Sequence, residues 1–419
     1  MTPTSREWDA LLACARAAVW DRRPAGLDLG GVAAAALIAL ADDHGLIPHL
    51  HRVLGDVIEP AAARADLARR ARQIALQNLH FTGELHRVHA ALARAGIEAV
   101  VLKGPALAVA LYGSVGLRQF TDLDLLVPRA HAERAVELLV ALGYRGTPPP
   151  GRDDAPASAA RGDRPPAPGR AEQRSVHEIR RLHEVRLFHL GRRVAVEIHR
   201  ALVPGWLGKL QDLDGCRERA RPLVVGGRPV LDLADEDKIL HLAVHGSGHA
   251  WARLQWLCDL GRLIHTGAGI RWPEVAARAR AVGCERDLAL ALALARDLLG
   301  VEPPLALRGD AASRAVTLVL RRYAARRART RAGVSPSRLT RNTLQLVLRE
   351  RARDRVLVLA SVLFNPTAED LELLRLPPSL WPVAAALRPL SLCHRYLVRP
   401  ALARAFGRVR RAGPGAGAG

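Results

Sequence analysis

The sequence predicts an α+β fold, in which a small mixed β-sheet is flanked by an N-terminal helical region and a larger C-terminal helical region. Three patterns support this prediction. Apolar residues recur at helical spacing through residues 5–95, short strand-like segments occur between residues 96 and 232, and helical spacing then returns. We therefore expect an N-terminal helical region over residues 1–95, a sheet-containing core over residues 96–232 and a C-terminal helical domain over residues 233–408.

A glycine marks the boundary between the first two regions. Helical spacing predicts a long helix over about residues 62–95, and Gly96 follows it. Glycine commonly ends helices because it adopts the left-handed conformation without strain. The apolar segment 97–102 then predicts a short strand that leads into Lys103.

Two segments contain almost no large apolar residue. Residues 146–174, rich in Pro, Gly and Arg, predict a flexible insertion within the core, and residues 409–419 predict a disordered tail. Between them, residues 184–199 predict a β-hairpin that turns near Gly191. Farther on, residues 338–363 predict a single helix.

Length and composition indicate a globular protein. The chain has 419 residues, of which 49% are hydrophobic. No apolar run approaches the ~20 residues that a membrane span requires. The five cysteines lie far apart, which fits neither a disulfide framework nor a zinc site and favours reduced thiols. Because the N-terminus shows no apolar export signal, we expect a cytoplasmic location.

The formal net charge of +21 raises the possibility of a nucleic-acid partner. Only three lysines occur, however, so nearly all of the positive charge is arginine, as a GC-rich coding bias would produce. We do not favour nucleic acid as a partner, and we interpret the arginine-rich segment 321–331 as a solvated helical face. Where arginine is the default cation, Lys103 indicates a position that requires a compact point charge.

The most informative segment, residues 100–128, contains Asp122 and Asp124 on a predicted strand. Side chains alternate along a strand, so the two carboxylates face the same way while Leu123 faces a core. Two carboxylates on one strand face repel each other unless a cation lies between them. Mg²⁺ is the usual cation, because it prefers carboxylate oxygens and keeps other positions open for phosphates.

A third carboxylate, Glu197, lies on a later strand over residues 194–199. A lone acidic residue on an alternating strand usually faces only solvent. If this strand is the neighbour of the Asp122 strand, however, the three carboxylates form a cluster that can hold two metal ions about 3.5–4 Å apart.

The order of these motifs resembles a known superfamily. Leu-Lys-Gly at 102–104, Arg-x-x-x-Asp-x-Asp-Leu-Leu-Val at 118–127 and a hairpin ending in an acidic-x-His strand resemble the DNA polymerase β-like nucleotidyltransferases. More specifically, the chain looks like the bacterial family described as an uncharacterised nucleotidyltransferase. The likeness continues through the histidine-rich segment 241–260 and through residues 370–377.

The resemblance implies Mg²⁺-dependent transfer of a nucleoside monophosphate from an NTP, such as ATP, to a hydroxyl or phosphate group. By position, Asp122 and Asp124 resemble the metal-binding pair, and Glu197 resembles the third carboxylate, where related sequences mostly carry Asp. Two Mg²⁺ ions are expected. Because Arg118 lies just before the metal strand and can offer bidentate donors, we expect it to contact the triphosphate.

The superfamily's phosphate-binding Gly-Ser turn has two candidates in this chain. Gly104 opens a predicted helix, but it lies farther before the aspartates than the superfamily pattern requires, and Pro105 replaces the serine. Gly113 and Ser114 lie nearer to the aspartates but follow the helix. Both turns remain candidates for phosphate binding, together with Lys103.

His241, His245 and His249 recur every four residues on a predicted helix. Zinc binding is compatible with this spacing but is the least favoured of three interpretations. Structural hydrogen bonding is favoured over it. In the remaining interpretation the helix packs over the site, and His245 and His249 then face the substrate. His199, on the strand of residues 194–199, is a further candidate for a substrate-facing residue.

The segment that follows these histidines has a simpler interpretation. Trp256 belongs with a set of apolar residues that we interpret as core, and Asp259 is expected to pair with Arg253 or Arg262.

The sequence thus favours a Mg²⁺-dependent nucleotidyltransferase that acts on a small molecule or peptide and has an NTP as co-substrate. Phosphoryl transfer from the γ position of the NTP is an alternative on the same site. A catalytically inactive nucleotide-binding or antitoxin-like module is another. The sequence specifies neither the acceptor, nor the nucleotide, nor the oligomeric state.

Overall fold

The structure is a computed structural model. It describes residues 5–22, 24, 26–146, 184–202, 213–302, 338–364, 381–394 and 398. The insertion predicted over residues 146–174 (apart from Gly146), the segment 321–331 and the tail 409–419 lie outside the described residues. Within the described part, fourteen α-helices and one seven-stranded mixed sheet confirm the α+β fold with helical regions at both ends.

The helices lie before, within and after the sheet. They are α1 (Ser5–Trp20), α2 (Ala34–Asp43), α3 (Ile47–Leu54), α4 (Ala61–Arg94), α5 (Gly104–Tyr112), α6 (Ala132–Ala141), α7 (Leu213–Arg219), α8 (Asp235–Gly248), α9 (Leu254–Thr266), α10 (Trp272–Val282), α11 (Glu285–Leu299), α12 (Arg338–Leu348), α13 (Ala352–Phe364) and α14 (Trp381–Cys393). Helix α4 confirms the long helix predicted before Gly96, and that glycine has a positive φ of 72°.

The sheet contains both parallel and antiparallel pairs. Its strands are β1 (Val100–Val101), β2 (Asp122–Leu126), β3 (Arg145–Gly146), β4 (Glu184–His189), β5 (Val194–His199), β6 (Arg221–Val225) and β7 (Arg228–Asp232). They lie in the order β3-β4-β5-β2-β1-β7-β6. The β2–β5 and β1–β7 pairs are parallel, and the predicted hairpin of residues 184–199 is confirmed as the antiparallel pair β4–β5.

The N-terminal helices α1–α3 and the C-terminal helices α8–α11 share one hydrophobic core. Leu11 and Leu37 from the first group and Leu260 and Leu288 from the second are fully buried in it. Each such leucine stabilises the fold by roughly 2 kcal/mol through its removal from water. Two regions that lie far apart in the sequence therefore form one helical body.

A second core lies between the sheet and helices α4, α5 and α6. Leu123, Leu125, Val196 and Ile198 point into it from the two central strands and pack with Phe81 of α4. Because side chains alternate along a strand, the residues between them face the opposite side of the sheet. That opposite side carries the acidic residues.

The hairpin of β6 and β7 is an element that the sequence interpretation missed. Its turn is Gly226–Gly227, with φ values of 53° and 79°, as a tight two-residue hairpin turn requires. The two glycines between strand-like segments were the available signal. The hairpin extends the sheet beside β1.

The single helix predicted over residues 338–363 is wrong, because the chain forms α12 and α13 instead. The break occurs at Arg349, whose guanidinium donates to Asp287 at 2.7 Å in a fully buried ion pair. Buried charges are costly unless they are paired, so this contact fixes the position of the turn.

None of the described helices is long and apolar enough to cross a membrane. The cysteines are free thiols; four are buried and Cys393 is exposed.

Candidate active site

Asp124 and Glu197 lie side by side on neighbouring parallel strands. In the register of β2 and β5, Asp124 lies opposite Glu197 and Leu126 lies opposite His199. Asp122 lies two residues before Asp124 and therefore shares its face of the sheet. The strand neighbourhood on which a three-carboxylate cluster depends is thus present.

The turn between β1 and α5 brings Lys103 to this cluster. Gly104 begins α5 with a φ of 59°, which glycine adopts without strain. A Cβ atom at this position would lie 3.3 Å from the carbonyl oxygen of Asp122, so the turn packs closely against β2. Pro105 suits the first turn of the helix, where its missing N–H group has no partner to lose.

Lys103 and Asp124 form a buried ion pair. The Nζ atom donates to Oδ1 at 3.1 Å, and the two side chains are 12% and 2% exposed. Burial would lower the pKa of Lys103, but the charges of Asp124, Asp122 and Glu197 outweigh it and raise the pKa. Burial would likewise raise the pKa of Asp124, but Lys103 and then His199 hold it well below its usual range. Both members of the pair are therefore charged.

His199 is bound among carboxylates. Its Nε2 atom lies 3.1 Å from Asp124 Oδ1 and 3.7 Å from Glu197 Oε2, and its Nδ1 atom lies 3.4 Å from Glu184 Oε2. Burial would lower the pKa of His199, but its hydrogen bond to Asp124 and its polar contact with Glu197 raise it to about 10. The buried imidazolium thus orients carboxylates, whereas the sequence suggested a substrate-facing side chain.

Glu184 is a site residue that sequence reasoning missed. It begins β4 and lies opposite His199 in the hairpin register. The hairpin itself was predicted, so counting residues back from its turn could have revealed this pairing.

Asp122 is the carboxylate of the cluster that lacks a cationic partner. Within the described part of the chain, the ion pairs of the site involve Asp124 and Glu197 but not Asp122. Burial, followed by the charges of Asp124 and Glu197, raises the pKa of Asp122 to about 6. Lys103 and Arg186 offset only part of this effect, and the remaining negative charge favours the binding of a further cation.

The donor set fits a divalent metal ion. One ligand atom each from Asp124, Glu197 and His199 lies within 4.8 Å of the others. Carboxylate oxygens, which Asp122 also offers, are the hard ligands that Mg²⁺ and Mn²⁺ prefer. A protonated His199 has no free lone pair, so the carboxylates are the better ligands.

The two candidate phosphate turns lie at opposite ends of α5. Gly104 begins the helix, whereas Gly113 is its C-cap, and the Ser114 side chain accepts a hydrogen bond from the N–H of Gly116 at 3.2 Å. A helix N-terminus attracts anions through unpaired N–H groups and the helix dipole, and a C-terminus repels them. The carboxylate site therefore includes Gly104, while Gly113 and Ser114 lie exposed at the far end.

Arg118 makes a structural ion pair that the sequence did not reveal. Its Nε atom donates to Asp259 Oδ2 at 3.0 Å, and the side chains are 5% and 0% exposed. Tyr112 donates to the other oxygen of the same carboxylate, also at 3.0 Å. Asp259 therefore pairs with Arg118, and the predicted partners Arg253 and Arg262 are wrong. Contact of Arg118 with a triphosphate stays a prediction, which this buried pair argues against.

The two histidines of α8 and its C-cap residue His249 form a row of contacting rings that reaches Lys103. His245 Nδ1 lies 3.5 Å from Lys103 Nζ, and because an ammonium only donates, the imidazole accepts. His241 lies deeper, with Nδ1 3.1 Å from the carbonyl oxygen of Leu202. Burial and then Lys103 lower the pKa of His241 to about 3 and that of His249 to about 4. The row is therefore neutral near pH 7.

The histidine row shows no sign of a zinc site. Among the described residues, the cluster with metal-ligand geometry contains His199 and none of the three histidines of the row. Trp256, interpreted from the sequence as core, is only partly buried and contacts His245 and His249 with ring centroids 5.3 Å and 5.0 Å apart.

Comparison with known proteins agrees with this geometry. A family model described as "Uncharacterised nucleotidyltransferase" matches residues 31–300. The chain belongs to this family. The match includes every element of the site, from Lys103 through the β-sheet to Asp259. No curated protein and no solved structure matches the chain significantly.

Membership of the uncharacterised nucleotidyltransferase family establishes the class of enzyme. The protein is a transferase of phosphorus-containing groups that moves nucleoside monophosphates. A nucleotidyltransferase uses an NTP as its donor.

Proposed function

We propose that this nucleotidyltransferase uses Mg²⁺ to transfer a nucleoside monophosphate from an NTP to a hydroxyl or phosphate group of a small molecule or peptide. The observation that carries the proposal is the register of β2 and β5, which sets Asp124 beside Glu197. Asp124 also forms an ion pair with Lys103. The incompletely compensated charge of Asp122 supports a metal ion at the same place.

Asp122, Asp124 and Glu197 hold the metal in this proposal, and two ions are expected. When bound, Mg²⁺ neutralises phosphate charge and lowers the pKa of an attacking hydroxyl. His199 holds the carboxylates of Asp124 and Glu197 in place, because it is buried, hydrogen-bonds the first and forms an ion pair with the second.

The donor triphosphate lies at the turn between β1 and α5. Free N–H groups in the first turn of α5, around Gly104, donate to phosphate oxygens. Lys103 neutralises Asp124 in the free protein and pairs with phosphate in the nucleotide complex. A compact ammonium suits this exchange, because it can donate to a different oxygen without the reorientation that the planar guanidinium of an arginine would require.

Two alternatives use the same residues. Phosphoryl transfer from the γ position needs the same carboxylates and lysine, but family membership favours nucleotidyl transfer. A nucleotide-binding module without activity does not need three carboxylates, and this chain retains all of them on one face of the sheet.

Labelled nucleotides test the proposal. The protein is incubated with Mg²⁺ and ATP, GTP, CTP or UTP, labelled at either the α- or the γ-phosphate, and with the small-molecule or the peptide fraction of a cell extract. We expect the α label on an acceptor and the γ label in released pyrophosphate. A γ label on the acceptor would instead demonstrate phosphoryl transfer.

Asp124→Asn tests the metal assignment. Changes to groups that merely support metal ligands cost 10- to 100-fold, so loss of a ligand should lower transfer by more than about 100-fold. Mn²⁺ binding, followed by electron paramagnetic resonance, gives a readout that needs no acceptor. Glu98→Gln is the control, because Glu98 forms an exposed ion pair with Arg217. Unchanged turnover and Mn²⁺ binding in Asp124→Asn would refute the assignment.

A further inference from the structure

Three aromatic rings lie in mutual contact beside Lys103, and we call them the ring cluster: His245 of α8, its C-cap residue His249 and Trp256 of α9. The centroids of the two imidazoles are 4.7 Å apart, and the indole lies 5.3 Å from His245 and 5.0 Å from His249. All three rings are partly exposed, whereas Leu254 and Leu257 beside Trp256 are buried. The ring cluster therefore presents an aromatic surface to the site.

The ring cluster is joined directly to the phosphate end of the site. His245 Nδ1 accepts from Lys103 Nζ at 3.5 Å, and Lys103 immediately precedes Gly104 at the start of α5. In a nucleotide, one ribose separates the base from the α-phosphate. A nucleotide whose phosphates contact Lys103 and Gly104 therefore has its base within reach of these rings.

The chemistry of the rings suits a flat, uncharged partner. Burial, followed by the charge of Lys103, lowers the pKa of His245 well below its usual value and that of His249 to about 4. The indole plane of Trp256 is tilted by 44° to the imidazole of His249 and by 84° to that of His245, so a flat partner can stack on the indole face but not on all three rings at once. Bases stack on an aromatic face whatever their identity, since every base has a π-face.

We propose that the ring cluster is the subsite for the nucleobase of the donor nucleotide. The proposal rests on the proposed function, because it requires the phosphates to lie at Lys103. The base stacks on the indole of Trp256, with His249 at its edge, while His245 connects the ring cluster to the ammonium that neutralises the phosphates.

Comparison of ATP with inorganic tripolyphosphate tests this subsite, because only ATP has a base. Equilibrium dialysis with Mg²⁺ and no acceptor measures a dissociation constant for each. In Trp256→Leu we expect the Kd for ATP to rise about tenfold, as loss of a base–aromatic stack typically produces. The Kd for tripolyphosphate should stay within about twofold, because phosphate contacts are untouched.

Two further variants control for folding. Trp256→Phe keeps an aromatic face and should hold the Kd for ATP within about threefold of the wild-type value. Trp20→Leu removes an indole of the helical body that contacts His265 and Leu299, and it should change neither Kd. Thermal unfolding is recorded for each variant.

The remaining outcomes overturn the proposal in distinguishable ways. Equal losses for ATP and tripolyphosphate in Trp256→Leu would mean that the indole only supports the phosphate end. No loss for either, or a wild-type protein that binds ATP no more tightly than tripolyphosphate, would remove the base subsite and leave the phosphate site standing. Wild-type protein that binds neither ligand would overturn the proposed function and this subsite with it.

Discussion

The Nζ atom of Lys103 lies 3.1 Å from the Oδ1 atom of Asp124, and the Nε2 atom of His199 contacts the same oxygen. The oxygen that we assign to a metal ion is thus held by two internal cations in the free protein. Those cations offset the cost of keeping Asp124 charged and buried before a metal arrives.

Lys103→Met should destabilise the metal-free protein and make it more responsive to Mg²⁺. Removal of one member of a buried ion pair costs about 3–5 kcal/mol of unfolding free energy. Bound Mg²⁺ replaces the missing charge, so we expect the variant measured with Mg²⁺ to recover part of the loss measured in EDTA. Urea unfolding under the two conditions provides both values.

Lys238→Met is the matched control for this experiment. Lys238 forms a comparably buried ion pair at 2.8 Å with Asp232 of β7, which β1 separates from β2. It should lose similar stability in EDTA but recover none with Mg²⁺. Equal recovery in the two variants would contradict a metal site beside Lys103.

Asp122→Asn should stabilise the metal-free protein, although it removes a proposed catalytic group. Burial and the charges of Asp124 and Glu197 raise the pKa of Asp122 to about 6, so its charge at pH 7.5 opposes folding. We expect the unfolding free energy in EDTA to rise by about 1–3 kcal/mol. Asp124→Asn should instead lower the unfolding free energy in EDTA, because the charge of Asp124 is paired with that of Lys103.

Addition of Mg²⁺ gives a second comparison of the wild-type protein with Asp122→Asn. It should stabilise the wild-type protein by mass action and should fail to stabilise Asp122→Asn. If Asp122→Asn is destabilised in EDTA, then the carboxylate is compensated in solution and the argument for a cation at this position fails.

Arg118→Met should lower the unfolding free energy by about 3–5 kcal/mol, because it removes the cation from the buried Asp259 and leaves Tyr112 as its hydrogen-bond partner among the described residues. The double variant with Asp259→Asn should recover most of that loss. ATP binding then decides the role of Arg118. Wild-type affinity in the stable double variant means a structural role, whereas a persistent tenfold loss would support the triphosphate contact expected from the sequence.

His49 should make the protein sensitive to mild acid. Burial, reinforced by Arg52 and Arg262, lowers the pKa of His49 to about 3, and within the described residues neither ring nitrogen has a hydrogen-bond partner. The unfolded chain titrates near its usual pKa, so it binds the proton first as pH falls. Stability is therefore complete above about pH 6.5 and is lost progressively between about pH 6.5 and 3.

His49→Leu tests this pH dependence. Between pH 7.5 and pH 5, the wild-type protein should lose about 2 kcal/mol more of its unfolding free energy than the variant. Urea unfolding at both pH values measures the difference. An identical pH dependence in the two proteins would show that His49 accepts a proton in the folded state.

Local patterns determined much of the fold and half of the site. The strand with Asp122 and Asp124, the turn of Lys103 into α5, and the long helix before Gly96 follow from periodicity and from turn residues, which are properties of a single segment. The same reasoning found the hairpin of β4 and β5 but missed that of β6 and β7. It assigned Trp256 to the core, against which this side chain packs while it stays partly exposed.

By itself, the sequence determined which residue types are available: two aspartates on one strand face, one lysine at a helix start, and Glu197 on an alternating strand. Only the tertiary structure decided that Glu197 lies opposite Asp124 and that Arg118 is committed to Asp259. Strand order and buried ion pairs depend on which distant segments pack together. That choice is made by the whole core, so no local pattern of residues encodes it.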